Sequence, residues 1–203
     1  MISAKFSDVI TVDNEPYIIG WTSSSILTLI CNMSLSIRHA TKEDAVLIAD
    51  ISRQTFYDSF AAENKKADMD KFLAQQFTRG KLILEVGESQ NHFLLAYNDD
   101  EVAGYAKLRE SKPPESLGNF KALEIARIYA MTHMIGKGVG RLLMQGSIDL
   151  AREKGKEVIW LAAFENNHRA IEFYNKWGFE KFGDAHFLLG DDIQNDWLLR
   201  KFL

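Results

Sequence analysis

A glycine-rich segment between a strand pattern and a helix pattern is the feature of this sequence that most constrains its fold. Residues 124–131 have strand composition, Gly136, Gly138 and Gly140 follow at alternating positions, and an apolar periodicity runs over residues 142–151. Glycines at the first turn of a helix leave backbone N–H groups free to converge on one anion at the positive end of the helix dipole. The segment therefore predicts a seat for a pyrophosphate group.

Two better-known phosphate-binding loops do not fit this segment. A P-loop has Ser or Thr directly after Gly-Lys, because the hydroxyl binds magnesium, and here Gly138 follows Lys137. The dinucleotide fingerprint is Gly-x-Gly-x-x-Gly directly after the strand, whereas this chain has Gly-x-Gly-x-Gly with residues 132–135 in between. A glycine-rich turn that binds no ligand is the remaining alternative.

Length and composition predict one well-buried domain with a small-molecule partner. The chain has 203 residues, of which 46% are hydrophobic and 26% charged. The formal net charge of -4 argues against a nucleic-acid partner, because such binding depends on clustered Lys and Arg, and it favours a cationic substrate. The single cysteine, Cys31, excludes an intramolecular disulfide, and no Cys/His group has zinc spacing.

Residues 1–34 are predicted to be an N-terminal extension. It is an appendage, an upstream extension of the reading frame or an added edge strand, and the sequence does not distinguish these three. Their longest apolar run, residues 26–31, is far shorter than the roughly 20 residues of a membrane span. Asp8, Asp13 and Glu15 interrupt any signal-peptide core. We therefore predict a cytoplasmic protein without a membrane partner, in which residues 35–203 form the functional domain.

The order of patterns in residues 35–203 predicts a single α/β domain with a central mixed sheet flanked by helices. Residues 81–86 have helix-type spacing but could equally form a strand. The other segments, in order, are a strand at 35–38, a helix to about residue 60 capped by Thr41 and Asp44, a helix at 69–77, a hairpin of 93–97 and 102–109, the strand, loop and helix described above, a buried strand at 158–164, a helix opened by Asn167, and final strands at 187–190 and 197–202.

Two widely separated motifs resemble the Gcn5-related N-acetyltransferase (GNAT) superfamily, and the resemblance covers residues 35–203. The first is Ile135-Gly-Lys-Gly-Val-Gly140, set against the family's [Gln/Arg]-x-x-Gly-x-[Gly/Ala]. The second is Asn167-x-x-Ala-Ile-x-Phe-Tyr174-x-x-x-Gly-Phe179, which matches the family's fourth-helix pattern. Ile135 departs from the family's usual Gln or Arg, so we expect this loop to rely on backbone N–H groups and on Lys137 or Arg141.

A narrower resemblance is to the bacterial polyamine N-acetyltransferases. It rests on Leu123-Glu-Ile-x-Arg-Ile-Tyr129, Ile159-Trp-Leu161 and Ala185-His-Phe-x-x-Gly-Asp-Asp192. It implies acetyl transfer to a primary amine of a small molecule such as spermidine or spermine. Acetylation of a protein N-terminus, an amino acid or an aminoglycoside stays open, as do a non-catalytic acetyl-CoA sensor and a homodimer.

The superfamily resemblance implies acetyl-coenzyme A as co-substrate and no metal. The pyrophosphate would lie on the backbone N–H groups of the glycine loop, and the pantetheine arm would pair with the strand edge at residues 128–130. Asn167 would hydrogen-bond the pantetheine region, or would simply cap its helix. The implied cofactor-binding residues are Ile128, Tyr129, Ala130, Gly136, Lys137, Gly138, Val139, Gly140, Arg141, Asn167 and Tyr174.

Glu124 and Tyr174 are the predicted catalytic residues. A primary amine with a pKa of roughly 10.4 is almost wholly ammonium at neutral pH, so exposing its lone pair costs about 4 to 5 kcal/mol unless the site supplies a base. Glu124 is the predicted base or the holder of a relay water; a bulge in its strand could instead make it a solvated edge residue or the partner of Arg127. Tyr174 is the predicted acid for the leaving thiolate, and the alternative is a core aromatic beside Trp177.

The acceptor side is predicted to be acidic. His186, Asp191, Asp192 and Asp196 would line it and attract a polycation, although an acidic turn is more often solvated surface. His133, beside the glycine loop, is expected to be incidental.

Overall fold

The computed structural model describes residues 9–12, 15–18 and 34–203, the first two only as backbone. Residues 9–12 and 15–18 form β1 (Val9–Val12) and β2 (Glu15–Ile18), which pair antiparallel. The predicted role of the N-terminal extension otherwise lies outside the described residues. None of the described helices has the length and apolar composition needed to cross a bilayer.

A seven-stranded mixed sheet forms the centre of residues 34–203, as predicted. Its strands are β3 (Leu35–His39), β4 (Asn91–Asn98), β5 (Glu101–Arg109), β6 (Ala122–Ala130), β7 (Val158–Phe164), β8 (Glu180–Leu189) and β9 (Asp192–Phe202). They lie in the order β3-β4-β5-β6-β7-β9-β8, and every neighbouring pair is antiparallel except β6 and β7, which are parallel.

Five α-helices cover the two faces of this sheet. The helices α4 and α5 pack in one core cluster with β6 and β7, whereas α1 packs in another with β4 and β5. The sheet is therefore covered on both sides, as in other α/β domains. The helices are α1 (Ala45–Phe60), α2 (Lys66–Gln75), α3 (Arg79–Glu85), α4 (Val139–Glu153) and α5 (His168–Lys176).

The predicted helix starts follow local capping chemistry. The backbone N–H of Thr41 donates to the Asp44 carboxylate at 2.8 Å, which completes the predicted capping box before α1. The Thr78 hydroxyl accepts the N–H of Lys81, so α3 begins at Arg79. Of residues 81–86, which the sequence left between helix and strand, residues 81–85 therefore continue this helix and Val86 is its C-cap.

The last two strands are longer than predicted. β8 begins at Glu180 rather than at residue 187, and β9 begins at Asp192 rather than at residue 197. β8 is an edge strand whose side chains alternate between exposed and half-buried positions. An antiparallel strand with one solvated face needs no continuous apolar run. Residues 180–186, which mix charged and apolar side chains, therefore do not have a recognisable strand pattern.

The parallel pair β6–β7 separates after its first three residue pairs. Glu124 lies opposite Trp160 in the last pair, and beyond it the two strands have no common register. The backbone of residues 128–130 therefore has no strand partner on the β7 side of β6. This divergence opens the sheet at the centre of the domain.

A β-bulge in β6 sets which side chains share a face. Arg127 lies opposite Lys107, and Ile125 lies opposite the next residue of β5, so Ala126 has no cross-strand partner. The extra residue shifts the alternation by one position, which brings Glu124 and Arg127 to the same face. The bulge that the sequence analysis considered is confirmed, and it resolves the register of Glu124.

Candidate active site

A cleft of about 1050 Å³ opens where β6 and β7 diverge. The glycine loop and the start of α5 line one part of it. The other part, here called the acceptor wall, consists of side chains from α1, α2 and the β8–β9 hairpin together with residues 63, 76 and 77. The cleft is therefore a continuous space between a candidate anion seat and a separate surface for a second substrate.

The glycine loop has the backbone geometry that its sequence predicts. Gly136 has φ 82° and Gly138 has φ 93°, a left-handed region that side chains disfavour. The first intrahelical bond of α4 runs from the N–H of Leu142 to the carbonyl of Gly138 at 3.0 Å. The N–H groups of the three residues before Leu142 therefore have no helical acceptor and lie at the positive end of the helix dipole.

Two residues of the loop offer an anion few hydrogen bonds. The N–H of Lys137 donates to the Met134 carbonyl at 3.2 Å, so it is not free for an anion. Ile135 lines the cleft with 41% of its surface exposed, and its apolar side chain offers no hydrogen bond there. Anion binding at this loop therefore depends on the remaining N–H groups and on Arg141, which also lines the cleft.

The predicted pantetheine-binding residues lie along the same cleft. Residues 128–130 of β6 line it, and so does Asn167 at the start of α5. The Asn167 Oδ1 accepts the N–H of Ala170 at 3.1 Å, which confirms the helix-cap interpretation of this residue. Contact of these residues with a pantetheine arm stays a prediction.

Tyr174 combines the packing role and the cleft position that the sequence left as alternatives. Its side chain is 9% exposed, and its ring lies 5.6 Å from Phe173 and 6.0 Å from Phe179. It also lines the cleft. Burial raises the pKa of Tyr174 to about 12, so the phenol is protonated at neutral pH and can donate a hydrogen bond.

Glu124 lies in the cleft, but its carboxylate is already bonded. Arg109 donates to both oxygens at 2.9 Å, and the Ser111 hydroxyl donates to Oε2 at 2.7 Å. The residue is buried, so it is not a solvated edge residue, and its partner is Arg109 rather than Arg127. Its role as a base stays a prediction, and its lone pairs are largely occupied by fixed donors.

A second buried charge cluster lies beside Glu124. Glu85 of α3 accepts from Arg127 at 2.7 and 3.0 Å and contacts the Lys107 Nζ at 3.0 Å. Burial favours the neutral acid, but the hydrogen bonds and charges of the two cations outweigh it and lower the pKa of Glu85. Arg127 and Lys107 line the cleft, and both are ion-paired. Glu85 was not predicted as a site residue, because no local sequence pattern marks it.

Five phenylalanines give the acceptor wall an apolar surface. Adjacent rings lie 4.8 to 5.6 Å apart, within the range of favourable aromatic contacts. The sequence analysis did not assign them to the site, although two of them stand four residues apart on α1. They are Phe56, Phe60, Phe72, Phe77 and Phe187.

Carboxylates form the polar part of the acceptor wall. Asp58, Glu63 and Asp196 line the cleft, and none of them is paired with a cation among residues 34–203. Asp58 instead accepts hydrogen bonds from two neutral side chains. Burial and the charge of Glu165 raise the pKa of Asp196 to about 6.

The other predicted acceptor residues do not line the cleft. Asp191 forms an ion pair with Lys71, and Asp192 accepts from Gln194 at 3.0 Å. His186 is exposed on β8. Asp191 and Asp192 of the acidic turn therefore bond to neighbouring side chains of the protein. Of the predicted group, Asp196 alone lies in the cleft.

A model of the acetyltransferase (GNAT) family matches residues 49–179, which contain the glycine loop, the diverging strands and Tyr174. The chain belongs to the GNAT family. It is therefore a GNAT-type N-acetyltransferase. Within the described part of this acetyltransferase, no group of three or more His, Cys, Asp or Glu residues could hold a metal ion.

Relatives of this GNAT protein match it over most of their length. An uncharacterized N-acetyltransferase from the pepI 3′ region of Lactobacillus delbrueckii subsp. lactis is 36% identical over 169 residues, which are 83% of this chain and 98% of the relative. A spermidine N(1)-acetyltransferase of Thermoplasma acidophilum is 24% identical over 152 residues, covering 73% of this chain and 89% of the relative.

Solved structures share the fold of this acetyltransferase. The PaiA N-acetyltransferase of Thermoplasma acidophilum, solved with coenzyme A, superposes with a TM-score of 0.68 at 21% identity, over 84% of this chain and 100% of the other. The YncA protein of Salmonella typhimurium, solved with its cofactor acetyl-CoA, gives a TM-score of 0.64 at 19% identity, over 84% and 94% of the two chains.

Proposed function

We propose that this GNAT protein transfers the acetyl group of acetyl-CoA to a primary amine of a small polycation such as spermidine or spermine. The observation that carries the proposal is the composition of the acceptor wall, which combines aromatic rings with carboxylates that have no cationic partner among residues 34–203. A polyamine alternates methylene segments with ammonium groups. The distant relative named as a spermidine N(1)-acetyltransferase supports the same acceptor class.

The charges of the cleft favour a cationic acceptor. Lys107 and Arg127 share the single carboxylate of Glu85, which offsets one of their two charges, and Arg109 is neutralised by Glu124. The carboxylates of the acceptor wall have no such neutralisation within the described residues, so this surface has a negative potential. Clefts lined by one sign of unneutralised charge concentrate ligands of the opposite sign.

The residues of the other part of the cleft fit acetyl-CoA. The N–H groups of Val139, Gly140 and Arg141 would bind its pyrophosphate, since they have no protein acceptor and lie at a helix N-terminus. The β6 edge over residues 128–130 would pair with its pantetheine arm. The bound thioester supplies the activated acetyl group.

Tyr174 would stabilise the departing thiolate chiefly as a hydrogen-bond donor. Its pKa of about 12 lies above the roughly 8.5 of an ordinary thiol, so complete transfer of the phenol proton to sulfur is uphill by about 5 kcal/mol. Tyr174 would therefore pass its proton to the sulfur only while it receives another from the amine nitrogen. Such donation to developing charge is worth most in a buried site.

A panel of amines tests the proposal by thiol release in the presence of acetyl-CoA. Spermidine, spermine, a monoamine, a neutral amino-acid amide and an aminoglycoside would be compared by kcat/KM. We expect spermidine to exceed the amino-acid amide by more than about tenfold, which corresponds to about 1.4 kcal/mol of transition-state stabilisation. A smaller ratio contradicts the polyamine assignment, and coenzyme A binding without release from any amine favours the sensor alternative.

The contribution of the acceptor wall is tested with a matched pair of variants. Glu63→Gln removes a cleft carboxylate, whereas Glu172→Gln removes an exposed carboxylate that is paired with Lys176 on α5. We expect Glu63→Gln to lower kcat/KM for spermidine more than for the monoamine, and Glu172→Gln to change neither. Equal losses for both amines in Glu63→Gln would contradict charge selection by this wall.

A further inference from the structure

Among the charged groups of the cleft in residues 34–203, Asp196 is the one that is both half-buried and without a hydrogen-bond or ion-pair partner. It lies on β9 opposite Phe164, where β7 ends, and it lines the cleft half-buried. Within residues 34–203, the Asp196 carboxylate makes no hydrogen bond and no ion pair. Burial and the charge of a neighbouring acid raise its pKa. A buried charge without a partner is costly to a folded protein, so such a group points to a bound cation.

The neighbouring charge that acts on Asp196 is that of an acid rather than a cation. Glu165, at the end of β7, is the carboxylate whose charge acts on Asp196, and it is itself bonded to Asn195. The charge of Asp196 in turn helps raise the pKa of Tyr129 on β6, whose largest cause is burial. Asp58 and Glu63 from the α1 side and Arg169 and Tyr174 from α5 also line the cleft. The titratable groups of β8 are Glu180, Lys181, Asp184 and His186, of which Lys181 is paired with Asp184.

We propose, on the basis of the function proposed above, that Asp196 binds the reacting ammonium group of the acceptor and takes its proton. One proton of the ammonium moves to the Asp196 carboxylate, which leaves a neutral amine. The nitrogen forms a bond to the acetyl carbon as the carbon–sulfur bond breaks. The second nitrogen proton reaches the sulfur through Tyr174, and Asp196 then releases its proton to solvent.

The bonding of the two carboxylates decides between Asp196 and Glu124 for this step. Glu124 accepts three hydrogen bonds from Arg109 and Ser111, so a proton arriving there would have to displace an ion pair. The Asp196 oxygens have no such donors among the described residues, and an ammonium would be their first partner. A pKa of about 6 also suits a base that works near neutral pH, because such a base is ionised yet still binds a proton effectively.

In this scheme Glu124 is a positioning residue. Its ion pair with Arg109 links β5 to β6 at the point where β6 leaves β7. It would fix the strand that forms the β6 side of the cleft, without exchanging a proton. Loss of Glu124 would then alter KM and kcat without changing the pH at which the enzyme becomes active.

The experiment compares Asp196→Asn, Glu124→Gln and the control Asp184→Asn with the wild-type chain. Asp184 is an exposed carboxylate on the neighbouring strand β8, paired with Lys181, so its loss removes the same charge from the same hairpin. The pH dependence of kcat between pH 5 and 9 would be measured with acetyl-CoA and the best acceptor of the amine panel. Calorimetry with coenzyme A would report whether each variant keeps its fold and cofactor site.

We expect Asp196→Asn to lower kcat by about 100-fold or more and to abolish the fall of kcat below about pH 6, with coenzyme A affinity unchanged within twofold. Asp184→Asn should keep the wild-type rate and profile. The inference is overturned, and the proposed function left standing, by either of two results. In one, Asp196→Asn changes KM but not kcat; in the other, Glu124→Gln rather than Asp196→Asn abolishes the fall of kcat at low pH. A wild-type chain that acetylates no amine overturns both.

Discussion

Lys107 and Arg127 lie directly opposite each other in the β5–β6 ladder, although both are cations. Like charges in this position repel each other and destabilise a strand pair. Glu85 offsets the repulsion, since its carboxylate contacts both side chains within 3.0 Å. The Glu85 carboxylate of α3 therefore stabilises the part of the β5–β6 pair that lines the cleft.

Replacing Glu85 should destabilise the fold strongly. Glu85→Gln leaves the buried Lys107 and the half-buried Arg127 without a counter-charge, and removing one partner of a buried ion pair costs about 3 kcal/mol or more. Urea denaturation at pH 7 measures this loss. Glu172→Gln is the control, because its pair with Lys176 is exposed and should contribute less than about 0.5 kcal/mol.

The Glu85 contribution has a defined pH dependence. Its folded-state pKa is lowered, so its stabilisation is complete above the unfolded carboxyl pKa of roughly 4.3 and is lost as the pH falls through the folded-state pKa. The difference between wild type and Glu85→Gln should therefore shrink in acid. A difference that stayed constant from pH 7 to pH 3 would show that the charge of Glu85 is not its source.

Cofactor affinity should depend on the backbone of the glycine loop. Gly138→Ala places a side chain at φ 93°, which costs about 1 to 2 kcal/mol and distorts the N–H groups that follow. We expect its affinity for coenzyme A to fall about tenfold or more, as measured by calorimetry. Gly155→Ala is the matched control, since Gly155 also has a positive φ, 63°, but lies at the other end of α4. Gly155→Ala should lose similar stability and keep its affinity for coenzyme A. Equal coenzyme A affinities in Gly138→Ala and Gly155→Ala would argue against the loop as the anion seat.

Removal of the Tyr174 hydroxyl should separate catalysis from binding. Tyr174→Phe keeps the ring and its contacts with Phe173 and Phe179, so the fold and coenzyme A affinity should persist. We expect kcat to fall about 100-fold, because one donor to developing charge is lost. Tyr57→Phe, a change at an exposed phenol outside the cleft, should leave kcat unchanged. A Tyr174→Phe enzyme with normal kcat would assign Tyr174 to packing alone.

Asp196→Asn should stabilise the protein near neutral pH while it impairs catalysis. Burial and Glu165 raise the folded-state pKa from 3.8 to about 6, so the ionised carboxylate is disfavoured in the folded state. The variant should gain about 1 to 2 kcal/mol after allowance for the screening of a half-buried group. The sign follows from linkage: the gain is complete above about pH 6 and fades as the pH falls towards 4. Thermal melts at pH 8 and pH 4 measure it, and an equal or lower melting temperature at pH 8 would contradict it.

Local signals predicted the parts of the fold that depend on nearby residues. The strand predicted at 158–164 is found as β7, Val158–Phe164, because every position of it is apolar or small. The capping pattern of Thr41 and the glycines before α4 likewise mark helix starts by chemistry within one turn. β8 shows the limit of such signals, since an edge strand with a solvated face has no distinctive pattern.

The arrangement of side chains in the site, unlike the helices and strands, depends mainly on contacts between distant parts of the chain. Glu85 and Arg127 are 42 positions apart and meet where α3 lies against the sheet, whereas Arg109 and Glu124 are 15 apart and meet through the register of β5 and β6. The sequence raised the bulge in β6 as an alternative without fixing its position. The structure places it at Ala126 and thereby decides that Glu124 bonds to Arg109.

The sequence by itself determined the strand–loop–helix unit, the order of elements and the presence of Tyr174 in a recognisable helix motif, because each of these depends on residues close together in the chain. The tertiary structure alone decided which charges are neutralised and which are not. Pairing of charges is set by distances across the sheet, and it left Asp196 without a partner while it joined Glu124 to Arg109.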